Sequence, residues 1–376
     1  AEILGCDLVW AEDAPPTVSS HPLENENQIP THIPLPSEGR LAMELDVMKK
    51  MKAEVGDKTA LYGLLCGPFT LASHLRGSNL FLDMIMDPEY VHSLMEYTTE
   101  VAITLADYFI DAGMDIIAAV DPLISQISPD HFAEFMHEPF RALFEHIRNR
   151  GVFSSFFVCG NATKNIEPMC KTKPDSLSVD ENVSLADAKK VTDAYKVTIG
   201  GNIPLTSVML FGNQQDNMKA VVELIDSVDQ NRLIIAPGCD MPYDIPIENT
   251  IAIEQAVHET ESVREMVKNY EVTDLQFTGE LPDYEHLKKP LIEVFTLDSA
   301  TCAACTYMMA TALDAKKHFG EAVEVVEYKY TSPENIARCR VMGVKQLPSI
   351  YINGELKYSS IIPGRNEFWK EISSCL

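Results

Sequence analysis

No apolar run in this sequence approaches the roughly 20 residues that a bilayer-spanning helix requires, so no such helix is expected. The opening Ala1-Glu2-Ile3-Leu4-Gly5 lacks the basic start and long apolar core of a secretion signal, which sets the expectation of a cytoplasmic protein. Positive charge is scarce. Lys and Arg number 30 against 56 Asp and Glu, and the formal net charge of −26 argues against nucleic acid or an anionic membrane as partner, both being polyanions. Low-complexity tracts are missing, and a hydrophobic content of 46% is that of a globular chain. The cysteines are not the even, closely spaced set of a disulfide scaffold. Nine are scattered, at positions 6, 66, 159, 170, 239, 302, 305, 339 and 375, a pattern that suits reduced thiols, metal ligation or redox chemistry.

What is present is an alternation of short apolar strands and amphipathic helices through residues 1–280. Strands are expected at Asp7–Ala11, Ala60–Cys66, Asp115–Val120, Val152–Cys159, Ser176–Val179, Val197–Gly200 and Leu233–Ala236. Most show no period of two, as strands buried on both faces do. Between them, Pro88 to Ala112 carries Val91, Leu94, Met95, Val101, Leu105 and Phe109 at helical spacing, with Gly113 as its stop. Ser128-Pro129 is an N-cap followed by proline at the first helical position, and Pro139 should kink or break the helix it opens. Ser184 with Asp187 caps another helix, and Pro246 starts one expected to run to about Lys268. Repeated strand–helix units predict a parallel sheet and, in this number, a (β/α)8 barrel. Seven strands are one short of eight. Either the first strand and its helix are missing from the barrel, or an N-terminal piece is, or one strand is unrecognised.

The barrel is expected over residues 1–270, a polar linker with Pro282 and Lys288-Lys289 over 271–289, and a second α/β domain over 290–376. That domain reads as strand Leu291–Thr296, Thr301-Cys302-Ala303-Ala304-Cys305, and a helix to about Phe319. Strand Val323–Tyr328 and helix Ser332–Met342 come next. Leu347-Pro348 leads into a hairpin turned at Asn353-Gly354, and a helix from Asn366 to Ser373 ends the chain. A Cys-x-x-Cys opening a helix places Cys302 where the dipole and free amides favour thiolate. The order of elements, the Cys302/Cys305 pair and Pro348 before the hairpin resemble the thioredoxin family over residues 290–376. The resemblance implies Cys302 as attacking thiol, Cys305 as resolving thiol and Pro348 as a cis-proline against them. Ala303-Ala304 departs from the Gly-Pro of thioredoxin proper.

The centre of the barrel is Phe156-Phe157-Val158-Cys159-Gly160-Asn161, a strand that stops at a cysteine, and Ala236-Pro237-Gly238-Cys239-Asp240 does the same later. Two strand-end thiols on neighbouring ends of one sheet could converge. With Gly67-Pro68-Phe69-Thr70, Asp121-Pro122, Gly201-Asn202-Ile203-Pro204 and Pro246-Ile247-Glu248-Asn249, these motifs resemble the uroporphyrinogen decarboxylase superfamily over most of residues 1–265. Within it the resemblance is to the methylcobamide:coenzyme M methyltransferase-like branch. It implies zinc held by Cys159 and Cys239, a methyl group delivered by a corrinoid protein, and a small thiol as acceptor. The branch's histidine position is Phe157 here, so a third ligand is sought among Cys66, Asp121, Asp180, Glu12 and Asp13. Asp121 and Asn161 join the two cysteines as candidate catalytic residues. Gly160, Gly201 and Asn202 are candidate contacts to a corrinoid or substrate. A redox pair of Cys159 and Cys239, reduced by the second domain, is the alternative at the same residues. At the level of function, the alternatives are a redox-regulated module that binds a corrinoid or tetrapyrrole, and a uroporphyrinogen decarboxylase.

Overall fold

The computed structural model describes residues 1–10, 16–272, 275–300 and 302–376. Glu12 and Asp13 therefore lie outside the described residues, as does Thr301 before the Cys-x-x-Cys.

Among the described residues, strands β1 (Leu8–Val9) and β2 (Thr17–Val18) pair only with each other, antiparallel. The expected first barrel strand at Asp7–Ala11 is thus corrected: it is a two-residue rung beside the sheet. Its side chains explain this, for Val9 and Trp10 remain exposed, and Trp10 is covered on one face by the Arg40 guanidinium instead of a sheet neighbour.

Six strands make the parallel sheet: β3 (Tyr62–Cys66), β4 (Ile116–Val120), β5 (Phe153–Val158), β6 (Ser176–Val179), β7 (Thr198–Ile203) and β8 (Leu233–Pro237). They neighbour one another in chain order, the wall of a TIM-type barrel of six described strands rather than the expected eight, and β3 and β8 are not hydrogen-bonded to each other. Helices follow the strands and cover one face. On that face Ile117, Phe156, Val158, Leu177, Val179 and Ile199 are buried. Phe156 stacks on Phe140 at 4.3 Å between ring centres, with Phe132 and Phe144 around it. The opposite face is less covered, and Tyr62, Leu64, Phe153 and Ile234 are exposed on it.

Two helices differ from their sequence reading. The segment opened by Ser128 passes through a π turn at Phe132–Met136 and resumes as α-helix at His137, which leaves Pro139 in a first turn where its missing N–H costs little. The helix expected from Pro246 to Lys268 is two, Ile247–His258 and Thr260–Val267, parted at Glu259. There Thr260 Oγ1 donates to the Ala256 carbonyl, a side-chain bond that competes with the helical ladder.

The C-terminal part forms a separate four-stranded sheet from β9 (Leu291–Thr296), β10 (Glu324–Lys329), β11 (Ser349–Ile352) and β12 (Glu355–Ser359), in the order β10-β9-β11-β12. β9 runs parallel to β10 and antiparallel to β11. Ile292, Val294, Met308, Ala312, Val323, Ile350 and Phe368 build its own apolar cluster. The helix Ala303–Phe319 serves both sheets. Met308 and Ala312 face its own cluster, whereas Ala304 and Tyr307 pack on the barrel. The Tyr307 hydroxyl lies 2.6 Å from Ser73 Oγ and donates to the Ser73 carbonyl, and its ring meets Phe81 edge-on. This contact sets the Cys302 end of the helix over the C-terminal ends of the barrel strands. Among the described residues, no helix is long and apolar enough to cross a membrane.

Candidate functional site

Cys159 follows the last residue of β5, and Cys239 stands just past β8. Their Cα atoms are 5.8 Å apart, and their sulfurs are joined in a disulfide across 80 residues of chain. The structure brings this predicted pair together, but as a covalent bond rather than as two metal ligands. Whether the pair could hold zinc in this state turns on the donor set itself. A metal-binding sulfur is a thiolate, and in a disulfide that electron pair is spent on the neighbouring sulfur. Phe157 offers no donor, and among the described residues no three of His, Cys, Asp and Glu converge as a metal site would need. The residues described do not fit zinc in this state.

A cavity of about 490 Å³ opens over the strand ends. Cys66, Thr70, His74, Cys159, Cys239, Asp240 and Tyr243 line it from the barrel, and Cys302 and Asp298 from the C-terminal part. No Lys or Arg is among its described lining residues. A narrower cavity of about 100 Å³ runs between the two sheets, lined by Cys159, Gly160, Asp180 and Glu181 on one side and by Cys302, Cys305, Tyr330 and Pro348 on the other. Cys159 and Cys302 border both cavities.

Cys302 caps the helix Ala303–Phe319, and its Sγ accepts the N–H of Cys305 at 3.4 Å. Cys305 is buried behind it, and its Sγ accepts the N–H of Leu297. Burial pushes the Cys305 thiol well up, and the neighbouring Cys302 adds to this. The Leu347–Pro348 peptide is cis.

The remaining candidates divide. Asp121 lines neither cavity. It turns back beneath the helix Pro68–Arg76, where it accepts the N–H of Phe69 at 3.0 Å, the N–H of Thr70 at 3.1 Å and the Thr70 hydroxyl at 2.6 Å. It is a cap supplied from a neighbouring strand, and burial pushes its carboxyl up to about 7 against the pull of these donors. Gly67 permits the approach, since a Cβ there would collide with the Asp121 carboxyl. Asp180 does reach the narrower cavity and accepts the N–H groups of Gly160 and Asn182. Gly160, with φ +76°, lets the chain turn past Ser125 toward Asp180. Cys66 borders the large cavity as a free thiol, pushed up to about 12 by burial and by the Asp121 charge. Asn161 accepts the N–H of Thr163 in a local turn. Asn202 donates to the carbonyls of Asp180 and Val183, which ties β7 to the loop that follows β6. Neither asparagine lines the two cavities described, nor does Gly201.

Two residues at the site went unread in the sequence. Glu181 is half-buried at the narrow cavity, and its Oε2 accepts the N–H of Leu205 at 2.6 Å. Burial, and then the charge of Asp180, push its carboxyl up to about 8. His74 borders the large cavity, and burial holds its imidazole down at about 4, so it is neutral at ordinary pH. The signals were available: an acidic pair at the end of β6, and a histidine four residues after Thr70 on the same helical face.

A parallel sheet with its cavity at the C-terminal strand ends defines a TIM-barrel-type α/β protein. More narrowly, the chain belongs to the uroporphyrinogen decarboxylase (URO-D) family, whose model matches residues 1–260. Among its relatives, the methylcobamide:CoM methyltransferase MtbA of Methanosarcina acetivorans is 26% identical over 254 residues, covering 66% of this chain and 73% of that protein. The methylcobamide:CoM methyltransferase MtaA of Methanosarcina barkeri is 26% identical over 261 residues, covering 68% and 75%. A uroporphyrinogen decarboxylase of Nostoc punctiforme is also 26% identical, over 254 residues, covering 65% and 71%. The solved structure of a methyltransferase from Methanosarcina mazei shares the fold, with a TM-score of 0.62 at 24% identity over 69% of this chain and 77% of that one.

Proposed function

We propose that the chain is a methyltransferase that passes a methyl group from a methylated corrinoid, carried by a partner protein, to a small thiol. In this reading residues 1–270 are the transferase barrel, 271–289 a linker, and 290–376 a thioredoxin-like domain whose Cys302 and Cys305 are its dithiol. The observation that carries it is the lining of the large cavity. A porphyrinogen substrate presents several carboxylates and calls for Arg or Lys partners. This cavity offers none among its described residues and instead carries Asp240, Asp244 and Asp298. A neutral alkyl group and an uncharged thiol need no such clamp, and a thiol with a single anionic group needs far less of one than a polycarboxylate.

In the reaction the sulfur of the acceptor forms the new bond to carbon as the methyl–corrinoid bond breaks. The electron pair of that bond stays with the corrinoid, and the thiol gives up its proton. What the chain supplies is position and a sheltered site at the strand ends. No step is routed through zinc. The test uses full-length chain, reduced and anaerobic, with methylcobalamin and mercaptoethanesulfonate or dithiothreitol. Loss of the methylcobalamin absorbance at ten or more times the protein-free rate, with the methyl thioether found by mass spectrometry, is the expected result. No demethylation with either thiol, or production of coproporphyrinogen from uroporphyrinogen, sinks the reading. The Cys159–Cys239 disulfide favours a second reading, a redox-regulated module that binds the corrinoid without reacting. It is distinguished by methylcobalamin binding with no turnover.

A further inference from the structure

We propose that the Cys302/Cys305 dithiol reduces the Cys159–Cys239 disulfide of its own chain, with Cys302 attacking the sulfur of Cys159. The inference rests on the thioredoxin-like reading of residues 290–376 but not on methyl transfer. Its basis is placement. Cys159 of the disulfide lines one wall of the narrow cavity, and Cys302 and Cys305 line the other. Cys302 and Cys159 are the cysteines that border both this cavity and the larger one, whereas Cys239 borders only the larger. Cys159 is thus the member of the disulfide that shares both cavities with Cys302, and on this ground its sulfur is assigned as the one attacked, with Cys239 leaving on the side of the larger cavity. Cys305 is buried behind Cys302, with its N–H on the Cys302 sulfur, where a second thiol is kept from outside disulfides but stays within reach of Cys302. The Tyr307–Ser73 and Tyr307–Phe81 contacts hold the helix against the barrel and so hold the pair in register.

The exchange balances within the chain. The Cys302 sulfur bonds to Cys159 as the Cys159–Cys239 bond breaks, and Cys239 leaves as a thiolate that takes up a proton. Cys305 then bonds to Cys302 and releases Cys159, which takes up the second proton. One disulfide is reduced to two thiols, one dithiol is oxidised to a disulfide, and both protons come from the dithiol. A further turn needs an external dithiol to reduce Cys302–Cys305.

Tethering gives the dithiol an effective concentration of the order of millimolar at its target. The experiment oxidises full-length chain with diamide, removes the excess, and adds dithiothreitol well below that concentration. Opening of Cys159–Cys239 is then followed by differential alkylation and peptide mass spectrometry. Opening in the unaltered chain at least about tenfold faster than in Cys302→Ser is expected. Equal rates overturn the proposal. In Cys305→Ser the exchange should stall as a Cys302–Cys159 link with Cys239 alkylated. A Cys302–Cys239 link overturns the choice of sulfur, and a link formed only between two chains overturns the intramolecular route. Reduction of insulin by the unaltered chain separates the two levels: insulin reduced, with equal opening rates in both chains, fails the relay and leaves the dithiol reading standing. Failure of both readouts removes the dithiol reading as well.

Discussion

Glu181 carries its charge next to another carboxylate. Its buried carboxyl meets one backbone N–H, faces Asp180, and is pushed up to about 8. In the unfolded chain the same group titrates near 4.3. Between about pH 4.5 and 8 the folded state therefore holds a proton that the unfolded state has released. Stability contributed this way is complete below the unfolded value and is lost as pH rises through the folded one. Glu181→Gln should flatten that fall by at least about 1 kcal/mol between pH 5.5 and 8, read from urea midpoints at the two pH values. Equal slopes in both chains would show that the carboxyl is ionised in the fold. At this scale the sequence was legible where a residue sits at a strand end. Cys159 and Cys239 could be paired because each follows the end of an apolar strand. Whether they share a bond or a metal could not be read, since that depends on a Cα separation of 5.8 Å set by how the sheet curves. Asp121 misled for a related reason. A strand-end carboxylate can turn into the cavity or back under a helix, and only the neighbouring Gly67-Pro68-Phe69-Thr70 backbone, which receives it, decides.

The helix Pro68–Arg76 shows how such an element is held. Its N-cap, Gly67, has no side chain to offer, and Pro68 removes one orphan donor, so the first-turn amides are satisfied across the sheet by Asp121. In Asp121→Ala two buried N–H groups and the Thr70 hydroxyl would lose their acceptor. A loss of roughly 2–4 kcal/mol in unfolding free energy is expected, measured by urea denaturation. A loss under about 0.5 kcal/mol would mean that water replaces the carboxylate fully. Elements whose chemistry is local were legible almost to the residue. The Asn353-Gly354 hairpin and the Ser128 and Ser184 caps fall as their sequences predict. Those decided by partners were not. β1 finds its mate eight residues on instead of in the sheet, and the helix after Pro246 parts at a Thr260 side-chain bond that no periodicity encodes.

In the molecule as a whole, the Cys159–Cys239 bond ties β5 to the end of β8, which the sheet connects only through β6 and β7. A sheet whose first and last strands do not pair gains from such a cross-link, because it restricts the unfolded chain over 80 residues. The entropic contribution for a loop of that length is about 4.5 kcal/mol, and native distortion or residual structure usually reduces it, so about 2–4 kcal/mol is expected. Reductant should lower the stability of the oxidised unaltered chain by this amount. Cys239→Ser should begin at the lower value and show only the small response that remains from Cys302 and Cys305, whose loop is short. Guanidinium unfolding of both chains, with and without dithiothreitol, measures the difference. Equal responses would mean that the cross-link does not bear on the barrel. A response confined to the unaltered chain would mean that opening the disulfide loosens the wall bordering both cavities, so that the sulfur chemistry at the strand ends also sets the rigidity of the site it borders.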